Sequence, residues 1–205
     1  MRLSAGAMAR RIAALLEILE SEKRAVTGDL GRWSVEQLRF RPGSMSWSAL
    51  DVLDHVARTE AEAVGHLRTY RGQGRRQEFV ERLRGSCLIR LMQLPVRVQA
   101  PRAMPQILPS EGRSLAEILG EWSRTRLALQ KEVRSIAPGE ACCAFTQHPF
   151  SGWMNLPQTI AFLAAHIRHH RFQIDRIRNC KAWPRAALDA RSACENQSDW
   201  LCGSR

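Results

Sequence analysis

At 205 residues the chain has room for one domain, or one domain and a tail. Its hydrophobic fraction of 44% is enough for one core, and no apolar run approaches the ~18–20 residues of a membrane-spanning helix, which speaks against a helical membrane protein. The net charge of +11 rests on 28 arginines and only 3 lysines; without a recognition motif or interleaved aromatic platform it reads as an arginine bias over solvated faces rather than a nucleic-acid footprint.

The first predicted helix runs from about Ala9 to Leu30, with Ile12, Leu15, Leu16 and Leu19 as its apolar stripe and Val26 and Leu30 extending it. Glu17 and Glu20 interrupt the apolar patch of the N-terminus and no small-residue cleavage site follows. No signal peptide is expected and the predicted location is cytoplasmic. Trp33 to Met45 reads as a connection turned at Pro42-Gly43. The second helix starts at Ser48, whose spacing to Asp51 has the form of a capping box, and continues to about Tyr70. Val52, His55, Val56, Thr59 and Ala63 share one side of it, so His55 faces inward.

An arginine-rich, moderately amphipathic helical segment covers 75–94, and prolines at 95, 101, 105 and 109 then exclude a long regular helix. The third long helix begins at Ser114, with Glu117 three residues on, and reaches about Ile136 before Pro138-Gly139. Ala141 to Asn155 reads as a loop. The fourth long helix opens around Pro157, a residue suited to a first helical turn, and ends near Trp183-Pro184. The expected organisation is therefore an all-α four-helix bundle over 1–183 with long crossover connections, followed by a polar, flexible tail over 184–205. The six cysteines contain no C-x-x-C pair and read as free thiols.

The run from Thr159 to Ile174 carries His166-Ile167-Arg168-His169-His170 in a stretch without Pro or Gly. On a helix His166 and His170 lie one turn apart on one face, roughly 6 Å between Cβ atoms, close enough for both imidazoles to reach one metal ion. A third ligand must come from another helix, and His55 is the candidate. His169 projects about 100° away and is expected to be solvated or to support the ligands from behind. Around these, Thr59 and Glu62 follow His55 on roughly its face, Gln173 lies one turn after His170, and His148 precedes the last helix. These four are candidates for the pocket or for orienting the ligands. His66 lies three turns beyond His55, too far to join the cluster. Trp47 and Trp153 are expected to pack the helix starts. Three imidazoles leave positions open for water or substrate, and imidazole suits zinc, nickel, iron and copper alike. No H-E-x-x-H, G-x-S-x-G, phosphate loop or dinucleotide fingerprint is present.

Two stretches carry a resemblance. Arg41-Pro42-Gly43-Ser44-Met45-Ser46-Trp47-Ser48 running on to His55, and His148-Pro149-Phe150-Ser151-Gly152-Trp153-Met154 followed by His166, His170, Gln173 and Ile174, resemble the signature elements of the DinB/YfiT-like superfamily of bacterial four-helix bundles. The resemblance spans roughly 8–183. It implies a divalent metal ion (zinc or nickel first, iron or manganese next) held by His55, His166 and His170. It also implies a small-molecule substrate, a low-molecular-weight thiol transferred to an electrophile or a related hydrolysis, and a homodimer. The second reading is a non-catalytic metal-binding or stress-related interaction bundle. A nucleic-acid binder, the third, rests on charge alone.

Overall fold

In a computed structural model, residues 4–96 and 104–185 are described. Four long helices form the body: α1 (Ala5–Leu30), α3 (Ala49–Tyr70), α5 (Leu115–Ser135) and α6 (Leu156–Arg178). Between them lie the short α2 (Val35–Arg39), α4 (Phe79–Met92), a 3-10 turn at Pro105–Ile107 and a two-stranded antiparallel hairpin of β1 (Ala144–His148) and β2 (Gly152–Asn155). The chain belongs to the all-α class, as its periodicity predicts.

The helix starts are written into the sequence by small oxygen-bearing residues. Ser48 and Ser114 each accept a backbone N–H three residues on, and Asp51 and Glu117 return the bond to the cap. Asn155 caps α6 through the Gln158 N–H, placing Pro157 in the first turn, where no amide is needed. The same device at Ser34 and Gln37 makes α2, a helix inside the stretch expected to be a connection. The expected loop at 141–155 is likewise structured. Phe145, Thr146, Trp153 and Met154 are strand formers, and Gly152 at φ +74° supplies the left-handed residue that closes a three-residue turn.

Cross-helix pairs fix the directions. Glu22 meets Arg168 and Arg171, and Asp29 meets Arg178, so α1 and α6 run parallel. Glu60 meets Arg126 while Arg68 meets Glu132, so α3 and α5 also run parallel. Glu20 on α1 meets Arg126 on α5, and Lys23 meets Ser123, so these two are antiparallel. The bundle is up-down-down-up, and the parallel α3–α5 pair demands the long crossover that α4 and the 3-10 turn occupy. Leu19, Leu53, Ile118, Trp122, Ile160 and Ile167 are all at most 1% exposed and make its centre.

The last helix ends at Arg178, short of the expected Trp183-Pro184. Trp183 instead packs edge-on against Trp33 and Phe40, with ring centroids 4.6 and 5.6 Å away, and the Pro184 carbonyl accepts from Gln37. Pro184, the first residue of the expected tail, is thus tied to α2; residues 186–205 lie outside the described ones. Among the described residues no helix is long and apolar enough to cross a membrane.

Candidate metal centre

The antiparallel packing of α3 on α6 brings His55 between His166 and His170. The His55 ring centroid is 5.1 Å from that of His166 and 4.8 Å from that of His170, and one nitrogen from each of the three rings lies within 4.8 Å of the others. The two α6 histidines face each other Nε2 to Nε2 at 3.1 Å. All three are buried. Ligand nitrogens on a tetrahedral zinc ion are about 3.4 Å apart, so the triangle has the dimensions of a metal site.

The outer nitrogens set the tautomers. His55 Nδ1 lies 2.7 Å from the Ile107 carbonyl, and His170 Nδ1 lies 2.8 Å from Gln173 Oε1. Both partners accept, so both Nδ1 atoms carry the proton and both Nε2 lone pairs point inward. His166 can turn one N–H toward His170, but among the described residues nothing donates to His55 Nε2. Burial, reinforced by the neighbouring imidazoles, holds the pKa of His166 and His170 well below the ordinary 6.5, and burial lowers that of His55 as well. The inward nitrogens of these three neutral imidazoles carry at least two lone pairs and at most one proton, a set of electron-pair donors suited to a cation. The residues present therefore fit a divalent ion.

Asp54, the residue before His55, holds the second helix-to-loop contact. Its fully buried carboxylate accepts from Arg58 Nε at 2.9 Å and the Ser110 N–H at 2.7 Å, and pairs with Arg113. That clamps to α3 the segment that delivers the Ile107 carbonyl to His55. Periodicity and motif spacing point to neither Asp54 nor Ile107. An acid next to an inward histidine on an apolar helix face is a signal for the first; a backbone carbonyl leaves none for the second.

The other candidates divide. Gln173 supports His170, as its spacing suggests. The Thr59 hydroxyl donates to the His55 carbonyl at 2.9 Å. Glu62 lies outside the cluster, 3.5 Å from His66 and accepting from Gln106 at 3.3 Å. Trp47 packs its ring 4.9 Å from His55 and stacks 6.5 Å from His170, so it caps the imidazoles as well as the helix start. Of the two expectations for His169 the solvated one fails, and its ring lies edge-on behind His170 with centroids 5.3 Å apart. It is only 3% exposed, with Nδ1 unpartnered, because α6 is covered by α4 as well as by α1 and α3 and retains little solvated face.

Beside the cluster opens a cavity of about 90 Å³ whose wall includes His166 itself. Leu88 and Met92 of α4, Ile107, Met154 and Phe162 make it mostly apolar. His148 lines it, packed on Phe162 with ring centroids 4.8 Å apart. Thr59, Glu62 and His66 face it from α3. His66 is thus remote from the cluster, as its spacing dictates, yet shares its cavity.

Residues 7–174 match the DinB superfamily. Comparisons with curated proteins and with solved structures give no match. The family match spans most of the chain, including all three clustered histidines, and the chain belongs to the DinB superfamily.

Proposed function

We propose that His55, His166 and His170 hold one divalent metal ion, zinc or nickel first and iron or manganese next, and that the centre transfers a low-molecular-weight thiol to an electrophile or carries out a related hydrolysis. The observation that carries this reading is the convergence of three neutral imidazoles, two of them with fixed tautomers, at the wall of an apolar cavity. When bound, the ion supplies Lewis acidity, lowering the pKa of a thiol or water and polarising a carbonyl. The chain's own residues do the rest. Gln173 and the Ile107 carbonyl keep the two Nε2 lone pairs aimed inward, Trp47 covers one side of the rings, and the apolar wall excludes water from the reacting end. In the transfer the sulfur bonds to the electrophilic carbon, the leaving group departs with its electron pair, and the thiol proton passes to solvent.

The test is metal content by mass spectrometry on untagged protein, beside His166→Ala and His170→Ala. About one equivalent in the parent and none in the variants, with helical content unchanged, supports the centre; thiol consumption with an activated acceptor then tests turnover. No metal after reconstitution with zinc, nickel, iron and manganese overturns it, and leaves a metal-free interaction bundle as the reading.

A further inference from the structure

Among the described residues neither an arginine nor a lysine lines the cavity beside His166. An anionic ligand would find no counter-charge among those residues. The one carboxylate in the lining, Glu62, is turned to Gln106 and His66, and would repel an anion. The hydroxyls are spent as well. Thr59 donates to the His55 carbonyl, and Thr159 donates to the Asn155 carbonyl at 3.0 Å while lying 2.7 Å from the Thr146 hydroxyl.

Of the polar groups that remain, Gln147 is exposed, whereas His148 is half-buried and directed by its own chemistry. His148 Nδ1 accepts the Phe150 N–H at 3.2 Å, so in the neutral ring the proton sits on Nε2. That N–H has no partner among the described residues, and the ring forms part of the cavity wall. Burial lowers the His148 pKa to about 4, which keeps the ring uncharged at neutral pH. The cavity thus presents, in a mostly apolar lining, a neutral donor fixed by its own turn, a pattern that orients a ligand through an acceptor atom.

We propose that the cavity selects an uncharged, largely apolar acceptor molecule bearing one hydrogen-bond acceptor, held by the Nε2–H of His148. As a statement about the electrophile it rests on the metal-centre reading; as a statement about binding it stands on the cavity alone. Discrimination against anions follows from desolvating a carboxylate where nothing compensates it. Discrimination between neutral molecules follows from whether His148 finds its partner.

Three probes of one shape separate these effects: acetophenone (neutral, one carbonyl), benzoate (anionic) and ethylbenzene (no acceptor). Each is titrated into the full chain as purified and again after metal chelation, with binding read by protein-observed NMR. Acetophenone is expected to bind at least tenfold more tightly than benzoate. His148→Phe is expected to weaken acetophenone about fivefold and leave ethylbenzene unchanged. Met104→Arg, which places a cation in the wall at a partly exposed position, is expected to narrow the gap between acetophenone and benzoate at least threefold, and it keeps the test decisive if His148→Phe fails to fold. Benzoate equal to acetophenone in the parent, or no neutral probe binding to folded protein, overturns the proposal. Acetophenone unaffected in folded His148→Phe removes the role of His148. Expected probe binding by a protein that takes up no metal would sink the metal centre and leave the cavity assignment standing; metal uptake without probe binding would do the reverse.

Discussion

Helix α3 presents two buried polar clusters on different sides, and they are built on opposite terms. Toward α5, Glu60 is 1% exposed and receives three donors: Trp122 Nε1 at 2.8 Å, Arg126 Nε at 2.6 Å and another Arg126 nitrogen at 2.8 Å. The remaining Arg126 nitrogen reaches Glu20 at 2.7 Å. The two buried charges, Glu60 and Arg126, balance, and the Glu60 carboxylate accepts three hydrogen bonds. Toward α6, His55, His166 and His170 are equally buried, but like faces like, their charged forms are disfavoured, and inward lone pairs outnumber inward protons. A cluster that satisfies itself needs no ligand, whereas one with surplus inward lone pairs can hold a cation. Burial of polar groups alone does not separate scaffold from site; the balance of donors and acceptors does.

The largest expected effect falls on the self-satisfied cluster. Glu60→Ala leaves the Arg126 guanidinium buried with most of its compensation gone and is expected to cost about 3–5 kcal/mol in chemical denaturation. The double variant Glu60→Leu/Arg126→Met should recover most of that loss, because it removes both charges and fills their volume. A double variant as unstable as the single one would mean that the network does more than balance itself.

The histidine cluster should respond to metal and to protons instead. Zinc at a hundredfold excess over its dissociation constant is expected to stabilise the parent by about 2.7 kcal/mol and His166→Ala/His170→Ala by nothing measurable in thermal unfolding. In metal-free protein the sign of the pH effect follows from the lowered pKa values. Above pH 6.5 folded and unfolded states are both neutral at these rings, and stability is flat. As pH falls below 6.5 the unfolded chain takes up protons that the folded one refuses, so stability declines, at up to about 1.4 kcal/mol per pH unit for each proton withheld, down to about 4, where His148 itself protonates in the fold. Denaturation of parent and double variant at pH 7.5 and 5.0 checks this: the parent should lose more. Equal losses would show that the two imidazoles are not held neutral.

What is legible in the amino-acid sequence follows the same division. The four long helices, their caps at Ser48 and Ser114 and the inward face of His55 are local or periodic features, and each lies within one or two turns of chain. The cluster is legible because His166 and His170 are a turn apart on one helix, so only His55 needs tertiary placement. Helix α2 and the hairpin escape a periodicity reading although strong local signals are present, the Ser34–Gln37 box and the strand formers flanking Gly152, because the segments are too short for a period to register. The Ile107 carbonyl and the cavity are not legible at all. Both depend on how the crossover between parallel helices folds back, and Asp54 fixes that through partners more than fifty residues away. His169 shows the limit of helical geometry: its angle on α6 is the expected one, but the number of elements packed around α6 decides burial.

Gln173 offers a subtler way to separate site from scaffold. Its side-chain oxygen serves His170 and should matter little to folding, yet it fixes the His170 tautomer. Gln173→Ala is expected to weaken zinc binding about 10–100-fold in a competitive chelator titration while leaving saturating stoichiometry intact. A change below threefold would show that His170 needs no such support.

The smallest expected effect concerns the cap of α3, the helix that carries both clusters. Ser48 is buried, accepts from the Asp51 N–H at 3.2 Å and returns its hydroxyl to the Asp51 carboxylate at 2.8 Å; Arg41 braces that carboxylate at 3.0 Å. The exposed Ser34 cap of α2 makes the same reciprocal pair with Gln37. Ser48→Ala should cost about 1.5 kcal/mol, toward the upper part of the range for N-caps, because the carboxylate loses a buried donor as well as the helix its cap. Ser34→Ala should cost less, since water replaces what is lost. Neither should change metal stoichiometry, because His55 lies almost two turns further along α3 and is held from the side by the Ile107 carbonyl. Loss of metal in Ser48→Ala would mean that the position of His55 depends on the helix start, and that cap and centre are one unit.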